Sequence, residues 1–392
     1  MSLRNGRPLR VFHVPALVGD HGPSLASLER QAGLRSECVA EMPHAFGFSA
    51  DVALWHPGEP PVLMELRRLA LFARIVVCAD VVHYNWGRTL FPDLRPRPSP
   101  AERGRPSWMR HAYRAYGRWM AELELRLLRL RGVRIVVTFQ GNDARQMDRC
   151  RASGAWRAAD AMAATGCTAG EDEWKRRVIA RCGRFAHAIF ALNPDLCRVL
   201  PPRARFLPYL HWDHRRAQRA VHSGRDEMVV AHAPSVRAQK GTEAVVSAIG
   251  RLQAAGVPLR LELIEGMCHR ECLQVMAGAD VFVDQLLYGW YGGAAVEAMS
   301  FGLPTVAFID DRDLAYVPKT MARELPVVSA TPETIADRLL ELYHMGPERR
   351  NALGSASRVF VERWHDPSVV AKVVMRAYEP TALGQGASAD AD

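Results

Sequence analysis

The strongest fold signal in the chain is the stretch Gly289-Trp290-Tyr291-Gly292-Gly293-Ala294-Ala295-Val296-Glu297-Ala298-Met299-Ser300-Phe301-Gly302-Leu303-Pro304. It begins with a glycine-rich loop, and its middle, 294–301, has the alanine content and apolar spacing of a short buried helix. Gly302 predicts the end of that helix, and Thr305–Ile309 is typical of a buried strand. This order of elements indicates an α/β ligand site, because loop N–H groups and a helix N-terminus attract an anion.

Glu297 lies about one turn into the predicted helix. A carboxylate at this place can accept hydrogen bonds from sugar hydroxyls. The alternative is a solvated helix residue, but the neighbours Val296, Ala298 and Met299 indicate that the side chain points inward.

A second stretch upstream fits the same site. Met228–Ala233 is predicted as a short apolar strand, and Arg237 and Lys240 lie on the loop that follows it, before a helix beginning near Thr242. Two cations three residues apart at the carboxyl end of a strand can bracket a diphosphate. The alternative is a pair of solvated surface cations, the commoner fate of lysine and arginine.

These residues resemble the donor site of retaining GT-B glycosyltransferases, with glycosyltransferase family 4 (glycosyl transferases group 1) as the nearest group. The resemblance rests on Arg237-x-x-Lys240-Gly241, Gly292 and Glu297-Ala298-Met299-x-x-Gly302-x-Pro304. It implies that Arg237 and Lys240 hold the donor diphosphate and that Glu297, the final glutamate of an E-x7-E motif, binds the ribose. The first glutamate of that motif falls at position 289, where this chain has Gly289. The full set expected at the donor is Arg237, Lys240, Glu265, Gly266, Tyr291, Gly292, Gly293 and Glu297.

Gln140 follows a strongly predicted strand at Val133–Phe139, at the edge where α/β sheets place ligands. The resembled family has T-x-H-G-x-D here, and its histidine faces the transferred sugar; this chain has Gln140 at that position and Asp143 at the position of the aspartate. Glutamine can hydrogen-bond a sugar hydroxyl but cannot act as a general base at neutral pH. A retaining front-face reaction needs no protein base if the departing phosphate takes the acceptor proton. The expected catalytic residues are Arg237, Lys240 and Gln140. We expect the glutamine at position 140 to affect the choice of substrate.

The loop after the first predicted strand, Leu9–Val14, contains Gly19 and Gly22. The resemblance places this loop near the acceptor, on the same side as Asp143. Both glycines allow close backbone approach. An ordinary turn between a strand and a helix is the alternative.

Strands and helices alternate through 392 residues, which favours two doubly wound α/β domains. The predicted architecture is GT-B, with two Rossmann-like domains facing across a cleft. The expected acceptor-side domain is 1–212 and the donor domain 213–365. A helix at 366–380 is expected to cross back to the first domain, and 381–392 is predicted to be disordered.

The net charge of +9 suits an anionic ligand such as a nucleotide sugar, or attraction to anionic lipid. No nucleic-acid motif accompanies it. A helix predicted from about Ser107 to Arg131 is amphipathic and basic, with Arg110, Arg114 and Arg118 in one row, so it is able to lie on a membrane surface. We favour a core-facing helix with its arginines in water. No apolar run is long enough to span a bilayer, so membrane contact is at most peripheral.

No metal or cofactor is expected. The eight cysteines form no C-x-x-C pair, which favours free thiols in a cytoplasmic protein. Cys268, His269 and Cys272 lack a matching second pair for zinc. Asp310-Asp311-Arg312-Asp313 is interpreted as a loop with carboxylates at a helix N-terminus rather than a metal motif.

The predicted function is metal-independent, hexosyltransferase-like transfer of a sugar from a nucleotide diphosphate donor, such as a UDP-sugar, to an unidentified acceptor with retention of configuration. Gly289 and Gln140 depart from the family pattern, and this motivates an alternative: a catalytically silent GT-B subunit that binds nucleotide sugars. A GT-B epimerase, which would use water as acceptor and need a carboxylate base, is a third hypothesis.

Overall fold

The chain forms two compact units in a computed structural model that describes residues 3–4, 7–44, 47–91, 106–218 and 226–379. The first unit takes in the chain up to Gln146, then Thr168–Leu207 and the chain from Val370; the second takes in Met147–Cys167 and Pro208–Val369. The bounds expected from the sequence did not foresee that Met147–Cys167 packs with the second unit. The tail predicted to be disordered, 381–392, lies outside the described residues.

Both units alternate strands with helices, as the sequence pattern predicts. The strands are β1 (Leu3–Arg4), β2 (Arg7–Pro8), β3 (Arg10–Val14), β4 (Arg35–Ala40), β5 (Val52–Ala53), β6 (Val81–Asn85), β7 (Arg134–Phe139), β8 (Ala188–Ala191), β9 (Arg205–Phe206), β10 (Met228–His232), β11 (Leu259–Leu263), β12 (Val281–Val283), β13 (Thr305–Ala307) and β14 (Val328–Ser329).

The helices alternate with these strands, and the last three follow β14. They are α1 (His21–Gln31), α2 (Pro61–Cys78), α3 (Ser107–Leu130), α4 (Met147–Ala152), α5 (Trp156–Ala164), α6 (Ala169–Phe185), α7 (Arg237–Lys240), α8 (Thr242–Ala254), α9 (His269–Ala277), α10 (Gly293–Ser300), α11 (Lys319–Glu324), α12 (Ile335–His344), α13 (Gly346–Trp364) and α14 (Pro367–Arg376). Short 3-10 helices cover Pro194–Arg198, His214–Arg216 and Asp311–Tyr316.

The first unit is built on a parallel sheet in the order β5-β4-β3-β6-β7-β8-β9. Strand β6 is buried at all its positions, as expected for a parallel strand covered on both faces. The chain runs outward from β3 to β5 and then returns to β6. This reversal makes the carboxyl ends of β3 and β6 a topological switch point, where open α/β sheets bind ligands.

The second unit repeats this plan with a parallel sheet in the order β11-β10-β12-β13-β14. Its apolar core lies between the sheet and helices α8 and α12, with Val230, Val245, Val283 and Leu339 fully buried. The chain moves from β10 to β11 and then back across to β12, so the switch point of this sheet lies between β10 and β12.

Two short helices of the second unit, α4 and α5, were not predicted from the sequence. Their alanine-rich face, with Ala158, Ala159 and Met162, packs around Cys150 and against Tyr288, just before the glycine loop. The small side chain of alanine lets neighbouring elements approach closely. This contact packs against one side of the glycine loop.

The chain also shows features that bear on its surroundings. Within the described ranges, no helix combines the length and apolar character needed to cross a membrane. None of the eight cysteines, all of which lie in the described ranges, forms a disulfide.

Candidate functional site

Lys240 lies at the centre of a polar cluster at the switch point of the second sheet. It follows β10, and its Nζ donates to Asp284 Oδ1 at 2.7 Å and to Gln285 Oε1 at 3.1 Å, both just after β12. The other oxygen of Asp284 accepts the backbone N–H of Gly292. A Cβ at Gly292 would lie 3.1 Å from Lys240 Nζ, so the glycine lets the loop approach the ammonium group. The structure thus brings Lys240 and Gly292 together, as the sequence predicts.

Arg237, the first residue of α7, lies beside this cluster and binds two carboxylates. Its guanidinium donates to Glu243 Oε1 at 2.7 and 2.9 Å and to Glu265 Oε2 at 2.9 Å. Glu265 therefore joins Arg237, and Gly266 continues the same loop with a positive φ of 68°. The exposed guanidinium has charge-assisted but solvent-screened partners, which an anionic ligand can replace.

Glu297 is buried in the first turns of α10, which confirms that its side chain points inward. Its Oε1 lies 2.8 Å from His269 Nε2 and 3.3 Å from His211 Nε2. Burial by itself raises the pKa of Glu297, but the hydrogen bonds from His211 and His269 outweigh it and hold the pKa at about 2. The carboxylate is therefore ionised at neutral pH and fixed by two imidazoles. A Cβ at Gly293 would lie 2.9 Å from the His211 ring, so His211 also packs on the start of α10.

Packing explains why position 289, the departure from the E-x7-E motif, is a glycine. A Cβ at this position would lie 2.5 Å from the Cβ of Asp310 and 3.3 Å from Asp313 Oδ2. No side chain fits there unless Asp310 moves. Asp310 is itself fixed, because its carboxylate accepts the backbone N–H of Arg312 at 3.1 Å and caps the following 3-10 helix. This is the helix-terminal role that the sequence predicts for the acidic run.

Tyr291 supports the glycine loop from beneath. Its side chain is fully buried, its hydroxyl lies 2.8 Å from His365 Nε2, and its ring stacks on Trp290 with centroids 4.5 Å apart. Burial raises the pKa of Tyr291 well above its ordinary value. The side chain predicted to touch the donor thus has no exposed surface, and its observed contacts hold the loop in place.

In the first unit, Gln140 and Asp143 form one turn directly after β7. The Asp143 carboxylate accepts the backbone N–H of Gly141 at 2.7 Å and that of Gln140 at 3.1 Å. Burial raises the pKa of Asp143 to about 6, although these N–H groups oppose the rise. The Gln140 carbonyl accepts from Asn193 Nδ2 at 2.6 Å, whereas Gln140 Nε2 is buried without a hydrogen-bond partner among the described residues. Asp143 therefore shapes the turn that presents the Gln140 amide.

Gly19 and Gly22 lie after β3, on the switch-point edge of the first sheet. Gly19 has a positive φ of 55°, and Gly22 sits in the first turn of α1. A Cβ at Gly22 would lie 3.2 Å from both Asn85 Nδ2 and Cys38 Sγ. The close approach at Gly22 is thus to neighbouring side chains of the same unit.

Sequence reasoning missed several groups that shape the donor-side cluster. The apolar run at 280–286 predicts a strand with Asp284 and Gln285 inside it, but the strand ends at Val283. Two polar residues inside an apolar run were the available signal. The polar, arginine-rich stretch at 211–226 predicts a linker that includes His211, and nothing local in the sequence connects this histidine with Glu297, 86 positions away.

No protein-family model and no curated protein matches the chain. Solved structures do resemble it. Sucrose-phosphate synthase from Thermosynechococcus elongatus is 13% identical with a TM-score of 0.59, and the match covers 94% of this chain and 98% of that one. HepE from Anabaena in complex with UDP-glucose is 10% identical, with a TM-score of 0.56 and coverage of 94% and 98%.

The catalytic domain of starch synthase IV from Arabidopsis thaliana, bound to ADP and acarbose, is 12% identical; its TM-score is 0.54, and coverage is 95% of this chain and 99% of that one. These structures are GT-B glycosyltransferases, and the likeness spans nearly the whole of each chain. The predicted fold class is therefore confirmed: the protein has the two-domain GT-B fold.

Proposed function

We propose that this protein is a glycosyltransferase that moves a sugar from a nucleotide diphosphate donor to an acceptor with retention of configuration. The observation that carries the proposal is the cluster of Lys240, Asp284 and Gly292 at the switch point of the second sheet, with Arg237 beside it. The two cations and the N-terminus of α10 are groups of the kind that bind a diphosphate.

Lys240 is the group that we assign to the leaving phosphate. An ammonium has three N–H donors, and Asp284 and Gln285 take two of them. The third is available for a phosphate oxygen, while the Asp284 carboxylate fixes Nζ beside Gly292. Arg237 adds a second cation that the donor can share with Glu243 and Glu265. These charges act where negative charge develops as the glycosidic bond breaks, and that effect is usually the largest in such a reaction.

In this proposal Glu297 binds the ribose with only one of its two carboxylate oxygens. Both imidazole contacts go to Oε1. We assign Oε2 to the ribose hydroxyls and the two histidines to holding the carboxylate in position. An ionised carboxylate makes the stronger, charge-assisted type of hydrogen bond to a hydroxyl.

The reaction proceeds at one face of the sugar. The bond from the anomeric carbon to the diphosphate oxygen breaks, the acceptor oxygen bonds to that carbon from the same side, and the acceptor proton passes to the departing phosphate. Gln140, Asp143 and the Gly19–Gly22 loop are assigned to the sugar and acceptor side. The buried Gln140 side-chain N–H supports this assignment. A buried N–H without a partner is costly, so a hydrogen bond to a ligand oxygen stabilises it more than it would an exposed N–H.

The donor is the substrate, and the reaction as proposed uses no metal or cofactor. Arg237 and Lys240 supply the positive charge that a divalent cation supplies elsewhere. Activity is then expected to survive EDTA. Complete loss that Mn²⁺ or Mg²⁺ restores would instead assign Asp311 and Asp313 as ligands. A cytoplasmic location, where nucleotide sugars are made, belongs to the same proposal.

The test is product analysis by NMR with a panel of UDP-, ADP- and GDP-sugars and a mixture of sugar acceptors. Transfer with an unchanged anomeric configuration supports the proposal, and an inverted product contradicts retention. Donor isomerisation without transfer would identify an epimerase. Binding of a nucleotide sugar with no turnover of any donor would identify a silent subunit.

A further inference from the structure

The outward face of α2 is apolar along its length. Val62, Leu66, Leu69, Ala73 and Val77 recur at helical spacing, and all are exposed, Val62 at 65% and Leu66 at 58%. The opposite side of the same helix supplies buried residues to the core of the first unit. A surface helix ordinarily turns polar residues outward, so this stripe reverses the usual arrangement.

Helix α3 carries a similar outward stripe with two tryptophans. Trp108 and Trp119 are 71% and 64% exposed, and the exposed Ala112 and Ala115 lie between them on the same face. The apolar residues at helical spacing in α3 that predict a core-facing row are only partly buried, because the first and the last of them, Met109 and Leu130, are exposed. A tryptophan has an apolar body and one polar N–H, which suits a boundary between water and lipid.

The two stripes belong to one layer of the first unit. The chain crosses the sheet in the same direction through α2 and through α3, and right-handed crossovers place such helices on the same face. The helices touch, since Tyr116 of α3 donates to Glu65 of α2 at 2.7 Å. Residues that point away from the sheet on both helices therefore share a surface, here named the α2–α3 face.

Basic side chains border this apolar surface. Arg118, Arg126 and Arg129 are exposed on α3. Arg126 binds Glu122 at 3.1 Å, so Arg118 and Arg129 supply the net positive charge on this helix. On α2, Arg67 and Arg74 are paired with Glu59 and Glu37 and add no net charge of their own. The border of the face is therefore positive, as is the whole chain at +9.

We propose that the α2–α3 face docks the protein on the surface of an anionic lipid bilayer. Tryptophan and aliphatic side chains would enter the boundary between headgroups and acyl chains, and the arginines would reach the anionic headgroups with their long stems along the apolar surface. The positive border favours anionic lipid over a second copy of this chain, because two copies would bring the same arginines together. The helices lie on the membrane and do not cross it.

The experiment is co-sedimentation of the full-length protein with vesicles of phosphatidylcholine alone and with vesicles that also contain phosphatidylglycerol. Binding is expected to the anionic vesicles and to weaken as salt rises. Trp119→Asp and Leu66→Asp should each lower the partition coefficient about tenfold or more, since each removes buried apolar area and adds a charge. Trp156→Asp is the matched control, because Trp156 is an exposed tryptophan (51%) in the second unit.

A second set of variants tests the arginines. Replacing Arg118, Arg126 and Arg129 together by Gln should remove the preference for anionic vesicles, and the matching Lys set should restore most of it. Unchanged thermal midpoints show that the variants fold. Equal binding by the wild type to both vesicle types, or an equal loss in Trp156→Asp, overturns the proposal. So does a wild-type dimer that Trp119→Asp converts to monomer in the absence of lipid binding, because the face is then an interface between copies.

Discussion

The contacts of Glu297 predict the consequence of removing its charge. In Glu297→Gln the side chain keeps its size, but His211 and His269 lose an ionised acceptor. The pKa of Glu297 falls from an ordinary 4.5 to about 2 in the folded protein. At 1.36 kcal/mol per pKa unit, the ionised form contributes about 3 kcal/mol to the free energy of unfolding at neutral pH. The variant should lose most of that stability at pH 7.

The sign of the pH dependence follows from the direction of the shift. A lowered folded-state pKa gives stability that is complete above the unfolded value of 4.5 and disappears as the pH falls towards 2. Urea denaturation measures the free energy of unfolding of wild type and variant at pH 7 and pH 4. The difference between the two proteins should be smaller by about 1 kcal/mol at the lower pH.

Glu333→Gln is the matched control for this stability measurement. Glu333 binds Arg157 at 2.8 Å on the surface of the same unit. An exposed ion pair is worth at most about 1 kcal/mol, so this variant should stay close to wild type. A Glu297→Gln protein that is as stable as Glu333→Gln at pH 7 would refute the argument from the two imidazoles.

Glu297→Gln also tests whether Glu297 contacts the ligand or only supports the structure of the site. If Glu297 binds the ribose, Glu297→Gln should weaken the binding of a nucleoside diphosphate by roughly 10-fold or more, at ~1.4 kcal/mol per decade. The 2′-deoxy analogue should already bind wild type poorly and lose little further in the variant. Calorimetry on both proteins with both ligands measures this. If the two losses simply add, Glu297 does not contact the ribose and acts only as a partner of the two histidines.

The other predictions concern the cations, the motif departure and metals. Lys240→Ala or Arg237→Ala should weaken nucleoside diphosphate binding, as measured by calorimetry, and lower turnover by about 10²-fold or more. The control Arg260→Ala, which removes an exposed, ion-paired arginine of the same unit, should change neither. Unchanged affinity in both site variants would remove the basis of the donor assignment. Gly289→Ala should lower the free energy of unfolding by about 1–3 kcal/mol because its Cβ would meet Asp310, and a wild-type urea midpoint would show that the loop has room. Turnover in excess EDTA should match turnover without it, and inactivation by the chelator would contradict a metal-independent reaction.

The sequence alone predicted the elements that local pattern controls. The helix after the glycine loop, the strand before Arg237 and the strand before Gln140 were each placed to within about two residues, because alanine content, β-branched runs and glycine stops act over a few neighbours. Spacing also indicated that Arg237, Lys240 and the loop belong to one edge, since parallel strands end together.

The partners of those residues were decided only by the tertiary structure. Asp284 reaches Lys240 because β12 lies beside β10 in the sheet, an order that the chain sequence does not reveal. His211 and His269 meet at Glu297 from segments far apart in sequence, and Gly289 is small because Asp310 lies above it. The outward tryptophans of α3 could not be told from core residues by periodicity, because a helix with apolar residues on two faces has the same local pattern whichever face meets the sheet. Burial depends on which face is covered, and only the packed fold determines that.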